Sequence, residues 1–250
     1  MSYTPARILP ISPVLARATG RSRIAARYEL EQLSDRRSIA TRTSLPSLSY
    51  PIVKRLVDII GSGALLILLS PVFLTIGVGI ALETGFPIVY RGQRLGRYGR
   101  PFWALKFRTM RDGSHHHLGE LLRNDEDYRL EYERTLKLRE DPRRTRVGIV
   151  LRRTSLDELP QLWNVLRGQM SLIGPRPYSL RDLDATPEAD EILSVRPGLT
   201  GLWQVSGRSD LPLERRVELD TRYVRERGYR LDAWIVMRTF GAVISGRGAY

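Results

Sequence analysis

The sequence has 250 residues, 42% of them hydrophobic, enough for one or two domains with a true core. Lys and Arg number 40 against 27 Asp and Glu, a net charge of +13 that points to nucleic acid, an anionic membrane surface or a phosphorylated substrate as partner. Most of the cations are arginine, which grips phosphate in a planar two-point fork, and the lack of cysteine excludes disulfides and thiolate metal centres such as zinc fingers.

Residues 1–50 are rich in Arg, Ser, Thr and Pro and read as a flexible basic arm, with a short helix near Ile24–Leu33. The arm lacks the apolar core of a signal peptide, and Arg36-Arg37 stands too far from any apolar run to be a twin-arginine signal. Its arginines suit anionic lipid.

Residues 51–86 contain the uncharged run Ile59–Leu82. As one helix it would be about 36 Å long, enough for roughly 30 Å of hydrocarbon. Ser70-Pro71 interrupts it at mid-length, and Pro71 has no N–H to continue the ladder. Lys54 and Arg55 precede the run, and Arg91, Arg94, Arg97 and Arg100 follow it. A single crossing cannot keep both cationic ends on one side. The expectation is a re-entrant helix–break–helix with both ends on the cytoplasmic face.

Pro87–Met110 reads as a β-hairpin, with strands near Ile88–Tyr90 and Phe102–Leu105 and a turn over Gly96–Pro101. Its interleaved aromatic and basic residues suit a membrane interface or a nucleic-acid stacking surface equally. His115-His116-His117 are expected in a solvated polar loop, since consecutive side chains rarely converge on one metal ion. Leu118–Glu140 is expected as one charged helix, and Asp141–Arg146 as a guanidinium-rich turn leading into Val147–Leu151.

The stretch Arg152–Pro177 places Asp157 and Glu158 between Arg152-Arg153 and Arg176. Pro160 fits the first turn of a helix over Leu159–Leu166, closed by Gly168. The two carboxylates then sit at a helix start, where free N–H groups and the positive dipole end favour anions. Ser155-x-x-Glu158 also fits a plain capping box. Beyond Arg176, Tyr178–Ser194 reads as loop and acidic helix, and Arg196–Gly201 as a turn. Leu202–Val205 reads as a short strand or membrane-facing patch, Leu213–Arg227 as an amphipathic helix, and Leu231–Ile244 as an apolar core or interfacial helix.

An ordered set of motifs carries a family resemblance from about Ile52 to the C-terminus. The set comprises Ser70-Pro71 in its apolar run, Lys106-Phe107-Arg108, Asp141-Pro142-Arg143, Arg152–Pro160, Pro175-Arg176-Pro177 and Arg196–Arg208. Together they resemble the bacterial sugar transferases, specifically the monotopic phosphoglycosyl transferases. The chain is similar to the short members that start exopolysaccharide repeat units. Its Trp203–Arg208 run is similar to that of members handling galactose or glucose phosphate.

The resemblance implies the following chemistry. Asp157 attacks the β-phosphorus of a UDP-sugar, UMP leaves, and undecaprenyl phosphate takes the phosphosugar from the aspartate. Asp157 and Glu158 are the implied catalytic pair, with Mg²⁺ as cofactor on Glu158. Arg152 and Arg176 match phosphate-contacting positions, with Arg143, Arg208 and Lys106 as further candidates. The implied fold is α+β, mainly α with a small β-hairpin: one compact domain on a re-entrant membrane helix, with interfacial amphipathic helices. The expected division is 1–50 arm, 51–86 membrane helix and 87–250 cytoplasmic catalytic domain. The implied place is the inner membrane, on its cytoplasmic face. UDP-sugar, undecaprenyl phosphate and anionic lipid are the expected partners. A homodimer is allowed, and nucleic acid is not expected. The competing readings are a membrane-anchored nucleic-acid-binding regulator and an inactive homologue that assists polysaccharide assembly. The intact Asp157-Glu158 pair weighs against the second.

Overall fold

The computed structural model describes residues 49–245, apart from 112, 136, 137, 139, 184, 185, 209 and 210. The helix expected near Ile24–Leu33 lies outside the described residues. Within them, helices dominate and one antiparallel hairpin accompanies them, in keeping with the α+β class.

Helices α1 (Tyr50–Leu68) and α2 (Ser70–Thr84) meet at Leu69 with a bend of 60°. No single helix among the described residues is long and apolar enough to cross a membrane. The bend follows from Pro71, and the Ser70 hydroxyl donates to the Ile67 carbonyl at 2.8 Å, the group that the missing proline N–H leaves without a partner. α1 starts well before the uncharged run, so Lys54, Arg55 and Asp58 ride on it and act as anchors. Lys54 pairs with Asp232 at 2.7 Å, and Arg55 donates to the carbonyls of Val165 and Leu166 at 2.8 and 2.9 Å. Asp58 accepts from the Ser171 hydroxyl and the Leu172 N–H at 3.0 and 2.8 Å. These bonds fix one side of α1, while Leu56, Ile60, Ile67 and Leu68 on the remainder stay exposed.

Strands β1 (Val89–Leu95) and β2 (Pro101–Phe107) pair from Val89 with Phe107 to Leu95 with Pro101. Both outrun their apolar centres, because ladder hydrogen bonds carry them to the Gly96–Arg100 turn. Directly opposed residues face the same way. Tyr90, Gly92 and Arg94 therefore share a face with Lys106, Ala104 and Phe102. Buried Asn164 docks the free edge of β2: its Oδ1 accepts from the Leu105 N–H at 3.0 Å, and its Nδ2 donates to the Trp103 carbonyl at 2.8 Å.

Where one charged helix was expected there are two, α3 (Ser114–Asn124) and α4 (Glu126–Thr135). Asp125 leaves helical geometry between them, and its Oδ1 accepts the Asp127 and Tyr128 N–H groups as a cap. His115–His117 lie in the first turns of α3 rather than in a loop.

Helix α5 (Arg146–Thr154) is capped twice. The Thr145 hydroxyl accepts from Gly148 N, and the Glu83 carboxylate of α2 accepts from the N–H groups of Arg146 and Val147 at 2.6 and 2.9 Å. Gly148 is required for this approach, because a Cβ there would lie 2.2 Å from the Thr109 carbonyl oxygen. Ile76 and Ile80 of α2, Phe107 of β2 and Leu151 of α5 form a core cluster between these elements.

A 3₁₀ turn (Leu156–Glu158) and the short α6 (Gln161–Leu166) follow, then β3 (Ser171–Ile173). Next come α7 (Leu180–Leu183), α8 (Ala189–Ile192), β4 (Gly198–Thr200), α9 (Leu202–Ser206), α10 (Leu213–Glu226) and α11 (Tyr229–Ser245). Two expectations are corrected here. The segment Arg196–Gly201 holds a strand as well as a turn, β4 pairing parallel with β3, and Leu202–Val205 is helix rather than strand or membrane patch. β3 and β4 cross closely at two glycines: a Cβ on Gly198 would lie 2.1 Å from the Gly174 nitrogen. Leu202 and Trp203 face inward because Ile173, Leu219, Tyr223, Val224 and Ile235 form a buried apolar cluster with them.

Candidate active site

Asp157 and Glu158 lie in the 3₁₀ turn between α5 and α6, not inside the first turn of a longer helix. Their neighbours' N–H groups are spent locally: Glu158 N bonds to Ser155 O, Leu159 N to Leu156 O, and Leu162 N to Leu159 O. Ser155 makes no side-chain cap and adopts left-handed geometry, with φ of +59°. The capping box is therefore not formed. The tight turn instead sends two adjacent carboxylates toward different cations.

Asp157 is 8% exposed. The Arg152 guanidinium of α5 is its electrostatic neighbour: burial lowers the Arg152 pKa from its usual value, and Asp157 and Asp141 oppose that shift. Arg152 Nε also donates to the Thr109 hydroxyl at 3.1 Å, which sets its orientation. Glu158 is half-buried and pairs with Lys106 of β2 at 2.5 Å. Arg208 is 9% exposed and just beyond α9, and its Nη1 has no hydrogen-bond partner among the described residues. Burial lowers its pKa, and Glu158 acts against that. Its φ of +55° is uncommon for a residue with a side chain, the kind of backbone strain found at functional sites. An arginine nitrogen buried without an acceptor is costly unless an anion supplies one.

Arg176 is held differently. Its guanidinium carbon lies 5.2 Å from the centroid of the Trp203 ring, and Arg216 lies 5.6 Å from the same ring. Among the described residues no carboxylate forms an ion pair with Arg176. Its backbone N–H donates to Asp220 at 3.0 Å. Arg143 contrasts with it. Nε and Nη2 of Arg143 form a two-point fork on Asp141 at 2.7 and 2.6 Å, and Nη1 donates to the Ser114 carbonyl at 3.1 Å. Burial raises the Asp141 pKa, and the Arg143 fork more than offsets this and leaves it below the usual carboxylate range.

The structure thus brings Asp157, Glu158, Lys106, Arg152 and Arg208 together, with Arg176 close by and Arg143 committed to Asp141. Sequence reasoning missed Arg94, counted above only as a flanking cation. Burial lowers its pKa, Arg176 beside it does the same, and Asp182, Tyr90 and Glu158 oppose the shift. The missed signal was strand alternation, since Arg94 shares its hairpin face with Lys106. The defined cavities, of about 510 and 780 Å³, lie against α10 and contain none of these residues.

Glu158 and Asp157 also bear on metal binding. No cluster of three or more His, Cys, Asp or Glu is found among the described residues, so no cage built from protein alone is present there. Mg²⁺ does not need one, being commonly held by one or two carboxylates with substrate phosphates and water. Two consecutive carboxylates in one turn fit that donor set.

Sequence comparisons show which proteins the chain resembles. The chain is 44% identical over 199 residues to the UDP-galactose-lipid carrier transferase of Erwinia amylovora, covering 79% of this chain and 42% of that protein. It is 43% identical over 210 residues to the undecaprenyl-phosphate galactose phosphotransferase of Salmonella typhimurium, covering 84% and 44% respectively. The chain thus spans less than half the length of these two relatives. Against the exopolysaccharide production protein ExoY of Rhizobium meliloti it is 44% identical over 198 residues, covering 79% of this chain and 88% of that protein. The family model for bacterial sugar transferases matches residues 49–246, and the chain belongs to that family.

Proposed function

We propose that the protein transfers a hexose-1-phosphate of the galactose or glucose type from a UDP-sugar to undecaprenyl phosphate, as the first membrane step of exopolysaccharide assembly. The observation that carries the reading is a buried carboxylate, Asp157, beside Arg152, with Glu158–Lys106, Arg208 and Arg176 around it. Similarity to relatives named for galactose transfer, and to one in Escherichia coli named for glucose-1-phosphate transfer, supports the substrate class.

An Asp157 oxygen attacks the β-phosphorus in line, and the bond from that phosphorus to the bridging oxygen breaks. UMP leaves with the electron pair, and the phosphosugar stays on the aspartate as an acyl phosphate. A phosphate oxygen of undecaprenyl phosphate then attacks the same phosphorus and restores the carboxylate. Cationic groups aimed at the transferring oxygens stabilise both transition states. In this scheme Arg152, Arg176, Arg208 and Arg94 take this role. Lys106 holds Glu158 until substrate arrives. Mg²⁺, held by Glu158 and substrate oxygens, would neutralise diphosphate charge. Arg143 acts in this scheme by steadying Asp141 behind Arg152.

The bent α1–α2 pair, with its exposed apolar faces, is read as re-entrant, entering and leaving by the cytoplasmic side of the inner membrane. That depth would bring a soluble sugar nucleotide and a lipid phosphate to one surface. The test for topology is cysteine labelling in a chain that has no cysteine of its own. Tyr50 is buried against Asp232, so exposed Ser49 and Arg91 are the better reporters. A cysteine at either position should resist an impermeant maleimide until the inner membrane is opened. Labelling of just one from the periplasm would mean the pair spans.

The test for activity uses the full chain in detergent with Mg²⁺ and a panel of UDP-sugars. UMP should appear with one UDP-hexose, and without lipid a phosphosugar adduct should be found on Asp157 by mass spectrometry. No UMP with any sugar, together with steeply salt-dependent DNA or RNA binding, would favour the regulator instead.

A further inference from the structure

Asp220 sits on α10, away from the dyad, and is wholly buried at 0% exposure. Its Oδ2 accepts two hydrogen bonds, from the Arg176 backbone N–H at 3.0 Å and from the Tyr178 hydroxyl at 2.8 Å. These donors flank Pro177, which has no N–H of its own and restricts the residue before it. One carboxylate oxygen therefore clamps both ends of the Arg176–Tyr178 turn. The same turn reaches the hairpin: the Tyr178 carbonyl accepts the Leu95 N–H at 2.9 Å, one residue past Arg94. Upstream, the Pro175 carbonyl accepts from Gly198 at 2.7 Å. The chain from Pro175 to Tyr178 is thus tied to α10, β1 and β4 at once. Arg176 leaves that turn across the Trp203 ring, and the ring itself belongs to the buried cluster beneath α10.

A buried acid is an expensive way to hold a loop. An apolar contact would stabilise the fold without the desolvation penalty. The geometry is better matched to orientation, because a charge-capable acceptor with two fixed donors sets a turn's angle as well as its position. We propose that Asp220 is a positioning residue for substrate phosphate binding: by holding the Arg176 N–H and the Tyr178 hydroxyl it presents the Arg176 guanidinium, and through the Tyr178–Leu95 bond the Arg94 guanidinium, at one phosphate site. This rests on the phosphosugar-transfer reading above. It adds a residue that touches no substrate and acts only through the two arginines.

A double-mutant cycle on the full chain in detergent tests it, read as kcat/KM for UMP release. Arg176→Lys should lose about 100-fold, the scale of one removed transition-state donor. Asp220→Ala should lose about tenfold, and the double variant should fall within about threefold of Arg176→Lys alone, because coupled residues do not add. Asp220→Asn keeps an acceptor oxygen and should recover most of the loss. Losses that multiply to about 1000-fold would make Asp220 a general support of the fold and overturn the proposal. Wild-type kinetics for Asp220→Ala would overturn it as well. If Asp220→Ala does not fold, Tyr178→Phe removes one donor in the same place and enters the cycle instead.

Calorimetric titration with inorganic pyrophosphate separates this from the reading it rests on. A wild type that binds pyrophosphate but releases no UMP from any UDP-sugar refutes the transferase reading. The positioning role then stands if Asp220→Ala weakens pyrophosphate about tenfold with the same non-additivity. Equal pyrophosphate binding by wild type and Asp220→Ala, or none by wild type, refutes the positioning role.

Discussion

The turn Asp141–Arg146 and the turn Gly174–Tyr178 each present an arginine that the sequence offers as a phosphate-binding candidate, and they treat it in opposite ways. Arg143 is neutralised: both arms of its fork rest on Asp141, which is itself buried. Arg176 lies over an aromatic ring and has no carboxylate partner among the described residues. A cation–π contact orients a guanidinium while leaving its N–H edge unspent. A two-point ion pair consumes that edge. The sequence motifs already set Arg176 ahead of Arg143 as a phosphate contact. Their partners separate one that can take a phosphate from one that holds the frame.

The largest expected effect tests the centre on which both turns converge. Asp157→Asn removes the nucleophile and keeps the side-chain size. UMP release should fall by on the order of 10⁴-fold or more, with Tm in detergent close to wild type. Turnover near wild type would move the covalent step to another group.

The comparison itself is broken by two substitutions read on two axes. Arg176→Lys keeps the charge and loses the planar fork, so kcat/KM should fall by about 100-fold with little change in Tm. Arg143→Ala leaves Asp141 buried without its partner. It should destabilise the fold by about 3 kcal/mol, and lower Tm by about 6 to 12 °C. The reverse pattern, a stability loss at Arg176 and a pure rate loss at Arg143, would exchange their roles.

Much of this was legible in the sequence. Pro71, without an N–H, and the cations on both sides of its apolar run were enough to expect a break at mid-length, and the bend falls at Leu69. Alternation and turn glycines were enough for the hairpin. Pro160 does stand at the start of α6, as its N-cap, but it does not reveal that the dyad lies in a turn of its own. Ser155, in left-handed geometry, instead ends α5 and starts a separate 3₁₀ turn, and no propensity scale favours a serine there. Leu202–Val205 was ambiguous for a different reason: a four-residue apolar run has no period, and only packing on Ile173 and Leu219 decides it. Arg94 could have been found from strand alternation, which puts it on the Lys106 face, whereas Asp220 was invisible because its role depends on partners distant in sequence, the Arg176 N–H and the Tyr178 hydroxyl.

The smallest expected effect concerns Asp220 and pH. Burial pushes its carboxyl up to about 7, while the hydrogen bonds from Arg176 and Tyr178 and the Arg176 charge oppose the shift only in part. Its second oxygen has no hydrogen-bond partner among the described residues, so ionisation places charge on an unsolvated atom. The groups facing it are Arg176 and Tyr178 from the turn. Arg216, on the same helix, is spent on the Leu211 carbonyl and the Trp203 ring. From α8, Glu191 is paired with Arg225 at the surface. The folded pKa lies above the unfolded value, so the folded state binds the extra proton. The stabilisation is complete below about pH 4 and is lost as pH rises through about 7. Asp220→Asn cannot ionise and escapes that loss. Wild type should therefore lose Tm relative to Asp220→Asn between pH 5 and pH 8, by several degrees. A gap that stays constant across this range would mean that Asp220 is ionised throughout it, held as a charge by Arg176, and the turn would then be clamped by an ion at every working pH.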